Sequence, residues 1–540
     1  MLRGLMMDVP LLVSSLIVHA AKSHGDTEIV SRTVEGPIHR YNYRAAHQRS
    51  RQLAQALGRL GVRQGDRIGT LAWNGHRHLE IYFGVSGMGA VIHTINPRLF
   101  PEQIVYIINH AEDRYVCFDL TFVPLVEKLA PQCKDVRGWV ALTDRAHMPA
   151  MSVPNLFCYE ELVGAESGNY EWPQFDEWTA AGLCYSSGTT GHPKGVLYAH
   201  RTTVIHAYGA SLPDVFGCSA RDVILPVVPM FHVNAWSVPY LAPLNGSKLV
   251  FPGCALDGKS LYELFESERV TITAGVPTVW LALITHMKQN NLKFSTLQRA
   301  VVGGSAVPPA MIREFGAEFG VQCQHAWGMT EMSPLGTFCT LKAQHLALPP
   351  DKQFDILCKQ GRAIFGVDME IVDGEGKPLP HDGKSFGDLV VRGPWVTRRY
   401  FKDDADPLRN GWFPTGDVAT IDPDGYMQIT DRSKDVIKSG GEWISSIELE
   451  NIAVSHPAVA EAAAIGVRHP KWDERPIVVV VKKQGAEVTR DELLQFYAGK
   501  VAKWMIPDDV VFVGELPHTA TGKLSKLTLR QQLKDYILPC

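Results

Sequence analysis

Short apolar runs rich in β-branched residues alternate with helix-like stretches through the first half of the chain, and no other sequence feature constrains the fold as strongly. Three such runs read as strands, at Arg67–Trp73, Ala90–Ile95 and Tyr115–Asp119. Helix-like stretches at His78–Gly87 and Glu102–Ala111 lie between them. Strands joined by helices indicate βαβ units, in which helices cover both faces of a parallel sheet.

The same pattern resumes further along, so an α/β body extends over most of the chain. Apolar runs that read as further strands lie at Asp222–Val228, Ser247–Phe251, Thr271–Ala274 and Ala300–Gly303. A chain of 540 residues has room for roughly two to four folding units. We therefore expect a large N-terminal α/β domain built from stacked, mostly parallel sheets.

The pattern changes near residue 385, where the strand-like runs become short and Gly, Pro and Asp turns separate them. Gly387–Arg392 and Gly425–Thr430 are two such runs. Short strands that follow one another through turns favour antiparallel pairing. We therefore predict a small β-barrel-like subdomain at the end of the large domain, which we place at residues 1–431.

A different pattern follows to the end of the chain. Ser445–Glu448 and Thr489–Glu492 each match a capping box, with a hydroxyl residue three positions before a glutamate, and each predicts the start of a helix. Strand-like runs at Ala462–Val467 and Pro476–Val481 lie between these helices. We therefore predict a smaller α+β C-terminal domain over residues 432–540, since about 100 residues suffice for a core of their own.

Charge and composition exclude several classes of protein. The chain carries 53 Lys and Arg against 57 Asp and Glu residues, a net charge of −4, so no basic surplus favours a nucleic-acid partner. It has no apolar run of about 20 residues, the length that a membrane-spanning helix needs. Near the N-terminus, Leu12, Leu16 and Ala20 recur along one helical face, which favours an amphipathic core helix over a signal peptide.

The ten cysteines are scattered along the chain, and none forms a C-x-x-C pair. Such spacing argues against a zinc site and against a disulfide framework. Disulfides persist in oxidising compartments, whereas free thiols are typical of reducing ones. We therefore expect a cytoplasmic protein.

A glycine-rich segment, Tyr185–Gly195, carries the most informative side chains for function. It reads YSSGTTGHPKG and follows the apolar run Ala181–Tyr185. Glycines let backbone N–H groups approach phosphate oxygens, hydroxyls donate hydrogen bonds or bind Mg²⁺, and Lys194 neutralises negative charge. The segment therefore predicts a phosphate-binding loop. It is not the P-loop of NTPases, because Pro193 stands where G-x-x-x-x-G-K-[ST] requires glycine.

The segment resembles the signature loop of the AMP-forming adenylating superfamily, which includes acyl-CoA synthetases, peptide-synthetase adenylation domains and luciferases. Further segments similar to motifs of that superfamily follow in order along the chain: Phe231–Trp236, Gly303–Ala306, Trp327–Glu331, Pro414–Asp417, Asp431–Glu442 and Thr521–Lys523. The resemblance thus covers nearly the whole chain. It implies the adenylate-forming enzyme fold, a small-molecule acid, ATP and coenzyme A as reactants, and Mg²⁺ as cofactor. We also expect a homodimer.

The resemblance implies a nucleotide site to which several segments contribute. Mg²⁺ on the phosphates is expected at Glu331, a catalytic residue, with the hydroxyl of Ser186 or of Thr189, which suits an ion that takes few carboxylates. The ribose hydroxyls are expected at Asp417 with Arg432. The residues that the resemblance further assigns to ATP or AMP are Ser186, Ser187, Gly188, Thr189, Thr190, Lys194, Gly303, Gly304, Ser305, His325, Ala326, Trp327, Gly328, Met329, Thr330, Ile429 and Lys434.

The resemblance also assigns chemistry to the C-terminal domain. Lys523 is expected to bridge the attacking carboxylate and the α-phosphate, where a cation stabilises the transition state. Lys434 occupies the hinge position, about which the domain is expected to turn between two orientations. The second orientation presents catalytic Lys438 and a coenzyme A segment formed by Ser439, Gly440, Gly441 and Trp443. A partly buried structural role is the alternative for Trp443.

The acyl group is expected beside the Phe231–Trp236 segment. The resemblance assigns to it His232, Trp236, Gly303, Trp327 and Pro334, and gives His232 a catalytic position. In fatty acyl-CoA synthetases, a tryptophan at the position of Trp236 gates the acyl tunnel. A hydrogen-bonded core histidine is the alternative for His232. No carboxylate stands in His232–Ala235, so a buried substrate ammonium would have no partner and amino acids are disfavoured.

The segment His325–Leu335, HAWGMTEMSPL, is similar to that of 3-methylmercaptopropionate–CoA ligases. The resemblance implies that acid as the substrate, and soft methionine and tryptophan side chains suit a thioether. Medium- or long-chain fatty acids are the alternative.

A luciferase-like oxygenase and a non-catalytic acyl or nucleotide sensor are two alternative activities. The presence of Glu331 and Lys523 disfavours the sensor. The sequence ends at Cys540 with no carrier domain, so we expect a diffusible acceptor for the acyl group.

Overall fold

The structure is a computed structural model that describes residues 2, 4–186, 192–440, 442–518, 524–534 and 536–538. The chain folds into two compact units. The first comprises Met1–Val367 and Gly393–Pro407, and the second comprises Asp368–Arg392 and Leu408–Cys540. The domain boundary at residue 431 and the hinge near Lys434 remain predictions.

The first unit contains the larger share of the secondary structure. Its strands are β1 (Glu28–Arg32), β2 (Ile38–Asn42), β3 (Arg67–Leu71), β4 (Val91–Thr94), β5 (Asp113–Phe118), β6 (Gly138–Ala141), β7 (Leu156–Cys158), β8 (Ala180–Tyr185), β9 (Gly195–Ala199), β10 (Val223–Pro226), β11 (Lys248–Phe251), β12 (Ile272–Gly275), β13 (Arg299–Val302), β14 (Gln322–Gly328), β15 (Leu335–Phe338) and β16 (Gly361–Ala363). Its helices are α1 (Val13–Ser23), α2 (Tyr43–Arg59), α3 (His76–Gly87), α4 (Pro101–Ala111), α5 (Val123–Leu129), α6 (Tyr159–Gly164), α7 (His200–Ser211), α8 (Val238–Asn245), α9 (Gly258–Ser267), α10 (Pro277–Gln289), α11 (Pro309–Arg313) and α12 (Pro350–Leu357).

Two sheets organise the first unit. One has the strand order β7-β6-β5-β3-β4-β8-β9 and is parallel except at β9. The other runs β16-β15-β14-β13-β12-β10-β11-β1-β2, with a parallel centre from β14 to β1 and antiparallel strands at both ends. The prediction of mostly parallel sheets is therefore confirmed.

Burial explains why the central strands read as continuous apolar runs. Every residue of β4 and every residue of β12 is buried, as expected of parallel strands with helices on both faces. One core of the first unit gathers around Trp280 of α10, with Phe265 and Leu283 among its members. Another gathers around Trp139 of β6 and Phe118 of β5.

Helix α1 confirms the amphipathic pattern near the N-terminus. Leu16 and Ala20, two of the residues that defined the predicted face, are buried on it. Its first turn is held by a side chain from α7, because the Val13 backbone N–H donates to Nδ1 of His200 over 3.1 Å. Over the described ranges, no helix is both long and apolar enough to cross a membrane.

The second unit is smaller and richer in antiparallel pairing. Its strands are β17 (Asp368–Val372), β18 (Phe386–Arg392), β19 (Phe413–Ile421), β20 (Tyr426–Arg432), β21 (Ile437–Ser439), β22 (Glu442–Ile444), β23 (Val459–His469), β24 (Asp473–Lys482) and β25 (Asp509–Phe512). Its helices are α13 (Ser446–Val454), α14 (Arg490–Phe496) and α15 (Lys526–Gln532).

Strands β17 to β20 form an antiparallel series, as predicted for the region after residue 385. A second sheet has the order β22-β21-β24-β23, and β25 joins β24 in parallel. Both predicted helix starts are confirmed. The Ser445 hydroxyl accepts from the Glu448 N–H over 3.1 Å, and Thr489 and Glu492 complete a reciprocal box at α14.

A buried group of charges joins α15 to α13 inside the second unit. Nζ of Lys526 lies 2.6 Å from a carboxylate oxygen of Glu450 and also contacts the hydroxyl of Ser446. The same hydroxyl donates over 2.8 Å to Asp431, which is fully buried. Burial raises the pKa of Asp431 and of Glu450, and Lys526 opposes that rise. The lysine is therefore the cation that compensates two buried carboxyl groups.

Replacing Lys526 with methionine is expected to lower the free energy of unfolding of the second unit by about 3–5 kcal/mol, the usual cost of removing one partner of a buried ion pair. Calorimetric unfolding of the full chain would measure it as a lower transition temperature. Lys483→Met, at an exposed lysine, is the matched control. Equal transition temperatures for the two variants would contradict the compensating role of Lys526.

Candidate functional site

The predicted site residues of the first unit lie where parallel strands end. Strand β8 ends at Tyr185, β13 at Val302 and β14 at Gly328. The predicted segments that begin with Ser186 and Gly303 follow the first two strands directly, and Trp327 lies at the end of the third. Ligands of open α/β sheets bind outside the carboxyl ends of the strands, so in both sheets the sequence motifs lie at strand ends where a ligand is expected.

The predicted phosphate loop connects two antiparallel neighbours, β8 and β9, in which Tyr185 faces Gly195. Its ends are tied together: the Ser186 N–H donates to the Lys194 carbonyl over 2.9 Å, and the Lys194 N–H donates to the Ser186 hydroxyl over 3.2 Å. The loop is thus closed at its base. Its tip, with the predicted residues Ser187, Gly188, Thr189 and Thr190, lies outside the described residues.

The segment Gly393–Pro407 packs against the base of this loop. The Phe401 N–H donates to the Gly195 carbonyl over 2.8 Å. A Cβ atom built on Gly195 would lie 3.1 Å from Cβ of Phe401, closer than most such contacts, so the approach favours glycine. Nζ of Lys194 lies 3.7 Å from the carboxylate of Asp403 and 4.6 Å from the ring centroid of Tyr400.

The same segment holds Glu331, whose side chain is largely buried. The Tyr400 hydroxyl donates to Oε1 of Glu331 over 2.8 Å, and the Thr397 N–H donates to the Glu331 carbonyl over 2.7 Å. Burial, and then the adjacent Glu331 carboxylate, raise the pKa of Tyr400, so the hydroxyl stays protonated and remains a donor. The structure therefore brings Lys194 and Glu331 into contact with the same side chain, that of Tyr400.

The predicted acyl and adenine residues also converge. Trp236 and Trp327 are both 8% exposed. A Cβ atom on Gly303 would lie 2.6 Å from the Ala326 carbonyl oxygen and 3.3 Å from Cη2 of Trp236. Gly304, with φ +80°, adopts a left-handed backbone beside the same indole. Glycines at these two positions are required for the close approach.

Trp327 packs on a glycine of the neighbouring strand. A Cβ atom on Gly336 would lie 2.5 Å from Cζ3 of Trp327. The turn between β14 and β15 is closed by the Met329 N–H, which donates to the Pro334 carbonyl over 2.9 Å. Thr330 is buried and its carbonyl accepts from the Tyr198 hydroxyl over 2.7 Å. The segment that carries Glu331 is thus held on both sides.

The two predicted histidines occupy different environments. His232 is half-buried, and its backbone N–H donates to the Pro229 carbonyl over 3.0 Å. His325 on β14 is buried, and burial lowers its pKa to about 4. The His325 imidazole is therefore neutral at pH 7 and brings no charge to the predicted nucleotide site. Ser305, by contrast, is exposed.

In the second unit, the predicted ribose residues form one ion pair. Asp417 on β19 faces Arg432 on β20, and Nε of Arg432 lies 2.8 Å from a carboxylate oxygen of Asp417. Asp417 is buried, and its N–H donates to the Thr415 hydroxyl over 3.1 Å. Ile429 stands on β20 opposite Ala419. Predicted partners in the sequence are therefore neighbours in space.

The predicted coenzyme A segment is a short hairpin of β21 and β22. Lys438 faces Trp443, with Nζ 6.0 Å from the ring centroid. The Ser439 hydroxyl accepts from Arg475 over 3.2 Å. Gly440 has φ +62°, and a Cβ atom there would lie 2.8 Å from Cε3 of Trp472, so this turn also requires glycine. Gly441 and Lys523 lie outside the described residues.

Several residues of the site have no motif that points to them. Tyr400 and Thr397, which hold Glu331, belong to a segment without a recognisable pattern, and Trp472 lies well after the hairpin that it covers. The roles assigned to the predicted residues remain predictions, and within each unit the structure brings several of them into contact.

Two models of AMP-binding enzymes match successive ranges of this chain. The model of the AMP-binding enzyme family matches residues 17–401, and that of the AMP-binding enzyme C-terminal domain matches residues 448–523. The 3-methylmercaptopropionyl-CoA ligase of Ruegeria lacuscaerulensis is 54% identical over 98% of this chain and 99% of the relative. The medium-chain-fatty-acid–CoA ligase of Ectopseudomonas oleovorans is 51% identical, over 99% and 98%.

Solved structures show the same fold. The crystal structure of the anthranilate CoA ligase AuaEII in complex with anthranoyl-AMP superposes with a TM-score of 0.85. It covers 98% of both chains at 24% sequence identity. The structure of the Mycobacterium tuberculosis fatty acyl CoA synthetase superposes with a TM-score of 0.71 over 97% of this chain and 99% of that one, also at 24% identity.

Proposed function

Because the chain belongs to the AMP-binding enzyme family, we propose that it activates 3-methylmercaptopropionate with ATP and transfers the acyl group to coenzyme A. The family match and the CoA ligases among its relatives make the chain an AMP-forming acid:CoA ligase. The observation that carries the choice of acid is the 54% identity, over 98% of this chain, to a ligase named for that acid. The predictions of family, fold and enzyme class are confirmed.

The proposed reaction has two steps. The acid carboxylate attacks the α-phosphorus of ATP, and pyrophosphate leaves as the acyl-adenylate forms. The thiol of coenzyme A then attacks the acyl carbonyl, and AMP leaves as the thioester forms. A free carboxylate resists nucleophiles, whereas a mixed anhydride with phosphate does not, so adenylation comes first.

The phosphate end of ATP is assigned to the first unit. The loop that Ser186 and Lys194 tie at its base is assigned to the phosphates, with Lys194 as its cation. Glu331 fits Mg²⁺, because this ion prefers one or two carboxylates together with phosphate oxygens, and Tyr400 fixes the carboxylate in place. Ser186 is the proposed hydroxyl ligand. When bound, Mg²⁺ would neutralise charge on the phosphates.

The remaining roles are proposed for residues of the second unit. Asp417 and Arg432, paired over 2.8 Å, are assigned to the ribose hydroxyls. Lys523 is assigned to adenylation, and Lys438 with the glycine hairpin to thioester formation. The two assignments require the C-terminal domain to turn near Lys434, as motions about a few backbone positions allow.

The acid is assigned to the surface formed by Trp236, Gly303 and Trp327, with His232 and Pro334. Two buried indoles, of which Trp236 lies against Gly303 and Gly304, offer apolar, polarisable contacts that suit a thioether. The second candidate substrate is a medium-chain fatty acid, which the 51% identity to a medium-chain-fatty-acid–CoA ligase favours.

We further propose a cytoplasmic homodimer. The first residues form an apolar arm, in which Leu2, Leu5, Met6 and Met7 are each at least 87% exposed. Burying such side chains against a second copy would remove apolar surface from water. The nine described cysteines are not joined in disulfides, which supports a reducing compartment.

The proposed function is tested with a panel of acids from propionate to palmitate that includes 3-methylmercaptopropionate. Each acid is incubated with ATP, Mg²⁺ and coenzyme A, and AMP and thioester are measured together. We expect 3-methylmercaptopropionate to give the highest kcat/KM, with AMP and thioester in equal amounts. A higher kcat/KM for octanoate would replace the proposed acid with a medium-chain fatty acid. Formation of AMP without thioester would refute coenzyme A as the acceptor.

The division between two half-reactions gives a second test. Lys523→Ala is expected to abolish pyrophosphate release but to preserve thioester formation from supplied acyl-AMP. Gly441→Leu is expected to do the reverse, because a side chain would fill the path of the thiol arm. Equal loss of both half-reactions in Lys523→Ala would contradict the role assigned to the lysine.

The contact between Tyr400 and Glu331 gives a third test. Tyr400→Phe is expected to slow pyrophosphate release by at least about tenfold, since a hydrogen bond to a charged group contributes about 1.5–3 kcal/mol. Thioester formation from supplied acyl-AMP should be unchanged. Tyr262→Phe, which removes an exposed hydroxyl bonded to the Lys293 carbonyl over 3.0 Å, is the control. A similar loss in both half-reactions would show that Tyr400 supports the fold alone.

A further inference from the structure

The chain makes an uncommon left-handed turn directly after His232. Five consecutive residues without glycine, Val233 to Ser237, have φ values of 45°, 53°, 46°, 53° and 72°. L-amino acids rarely adopt this region, because Cβ approaches the following carbonyl oxygen, and a β-branched residue such as Val233 adopts it least easily. Such a run persists only where surrounding contacts over-determine it.

Tyr82 of α3 supplies one of these contacts. Its side chain is fully buried, and its hydroxyl donates to the Met230 carbonyl over 2.6 Å. The side-chain amide of Asn234, inside the turn, lies 3.3 Å from the same phenol oxygen. One hydroxyl group therefore joins the backbone before the turn to a side chain within it.

A second anchor, Asn74, holds only the residues that precede the turn. The Asn74 side-chain amide donates to the carbonyls of Pro226 and Val228 over 2.8 and 2.9 Å, and its oxygen accepts from the Met230 N–H over 2.6 Å. Asn74 thus holds residues 226–230. Of these two anchors, Tyr82 is the one that reaches into the left-handed residues themselves.

The turn determines where the Trp236 side chain lies. Trp236 is its fourth residue, and its indole edge reaches the position where a Cβ atom of Gly303 would stand, at 3.3 Å. Cζ2 of the same indole is 3.8 Å from the equivalent position at Gly304. If the turn relaxed toward ordinary φ values, the Cα–Cβ direction of Trp236 would change and the indole would leave these glycines.

We propose that Tyr82 is a positioning residue for acid selectivity. By holding Met230 and Asn234 it maintains the left-handed turn, and the turn keeps the Trp236 indole against Gly303 and Gly304. Tyr82 thereby sets the chain length of the acid that the enzyme prefers. The inference rests on the proposed function, because it takes Trp236 as part of the acyl site. Tyr82 itself acts through the turn and is not assigned any contact with the acid.

The test compares Tyr82→Phe with the unmodified enzyme on two acids, 3-methylmercaptopropionate and octanoate. We expect the ratio of their kcat/KM values to move toward unity by at least about fivefold, the effect of one buried hydrogen bond. The KM for ATP should stay within about twofold, since the phosphate loop residues Ser186 and Lys194 are held by each other and by the segment Gly393–Pro407. An unchanged ratio in a folded Tyr82→Phe enzyme would overturn the inference.

Tyr43→Phe is the matched control, because its hydroxyl is equally buried and donates to the Ser247 carbonyl over 2.6 Å. Tyr43→Phe should reduce thermal stability about as much as Tyr82→Phe does, without altering the ratio of the kcat/KM values for the two acids. The same change of ratio in Tyr43→Phe would overturn the inference, since a general loss of rigidity would then explain it.

Asn234→Gly is the second variant, and it decides the question if Tyr82→Phe does not fold. Glycine accepts a positive φ without strain, so the substitution removes only the amide group that pairs with Tyr82. We expect a change of ratio in the same direction but smaller, because this contact is the longer of the two. An unmodified enzyme that forms no AMP with any acid would refute the proposed function instead, and that result is distinct from an active enzyme with an unaltered ratio.

Discussion

The parallel pairing of β13 with β14 is the constraint on which the arrangement of the first unit depends. Its register sets Val302 beside His325, so the next residue, Gly303, meets the Ala326 carbonyl where a Cβ atom would lie only 2.6 Å away. Only glycine fits there, and the space that it leaves is taken by the edge of Trp236. The phosphate loop follows β8 of the other sheet, and the segment Gly393–Pro407 links its base to Glu331 through Phe401 and Tyr400. In each sheet the motif lies at the carboxyl end of a parallel strand.

In the proposed site, polar contacts are assigned to the nucleotide and apolar packing to the acid. Glu331 is oriented by a hydroxyl and a backbone N–H from the segment Gly393–Pro407, and the same segment meets Lys194. The proposed acyl side has two indoles with little exposed surface. In the proposed function, this separation would let the acid side change without altering the nucleotide side; the relatives at 54% and 51% identity are named for different acids.

Local signals in the sequence predicted much of the fold. Ser445 and Thr489 cap the helices that their spacing to Glu448 and Glu492 indicated, because a capping box needs only four residues. The alternation of apolar runs and helices likewise predicted the parallel sheets. The left-handed turn after His232 was not predictable, because the intrinsic preference of valine opposes it and a tyrosine 148 residues before Met230 stabilises it. Tyr400 escaped notice for a similar reason, since its partner Glu331 lies 69 residues away.

The contact of Phe401 with Gly195 couples the position of the phosphate loop to that of Glu331. Phe401 contacts the base of the phosphate loop, and the preceding residue, Tyr400, holds the Glu331 side chain. Because Tyr400 and Phe401 are adjacent in the chain, a shift of the loop base would also move the Glu331 side chain. A small molecule inserted beneath Phe401 would therefore displace the loop base and the Glu331 carboxylate at once.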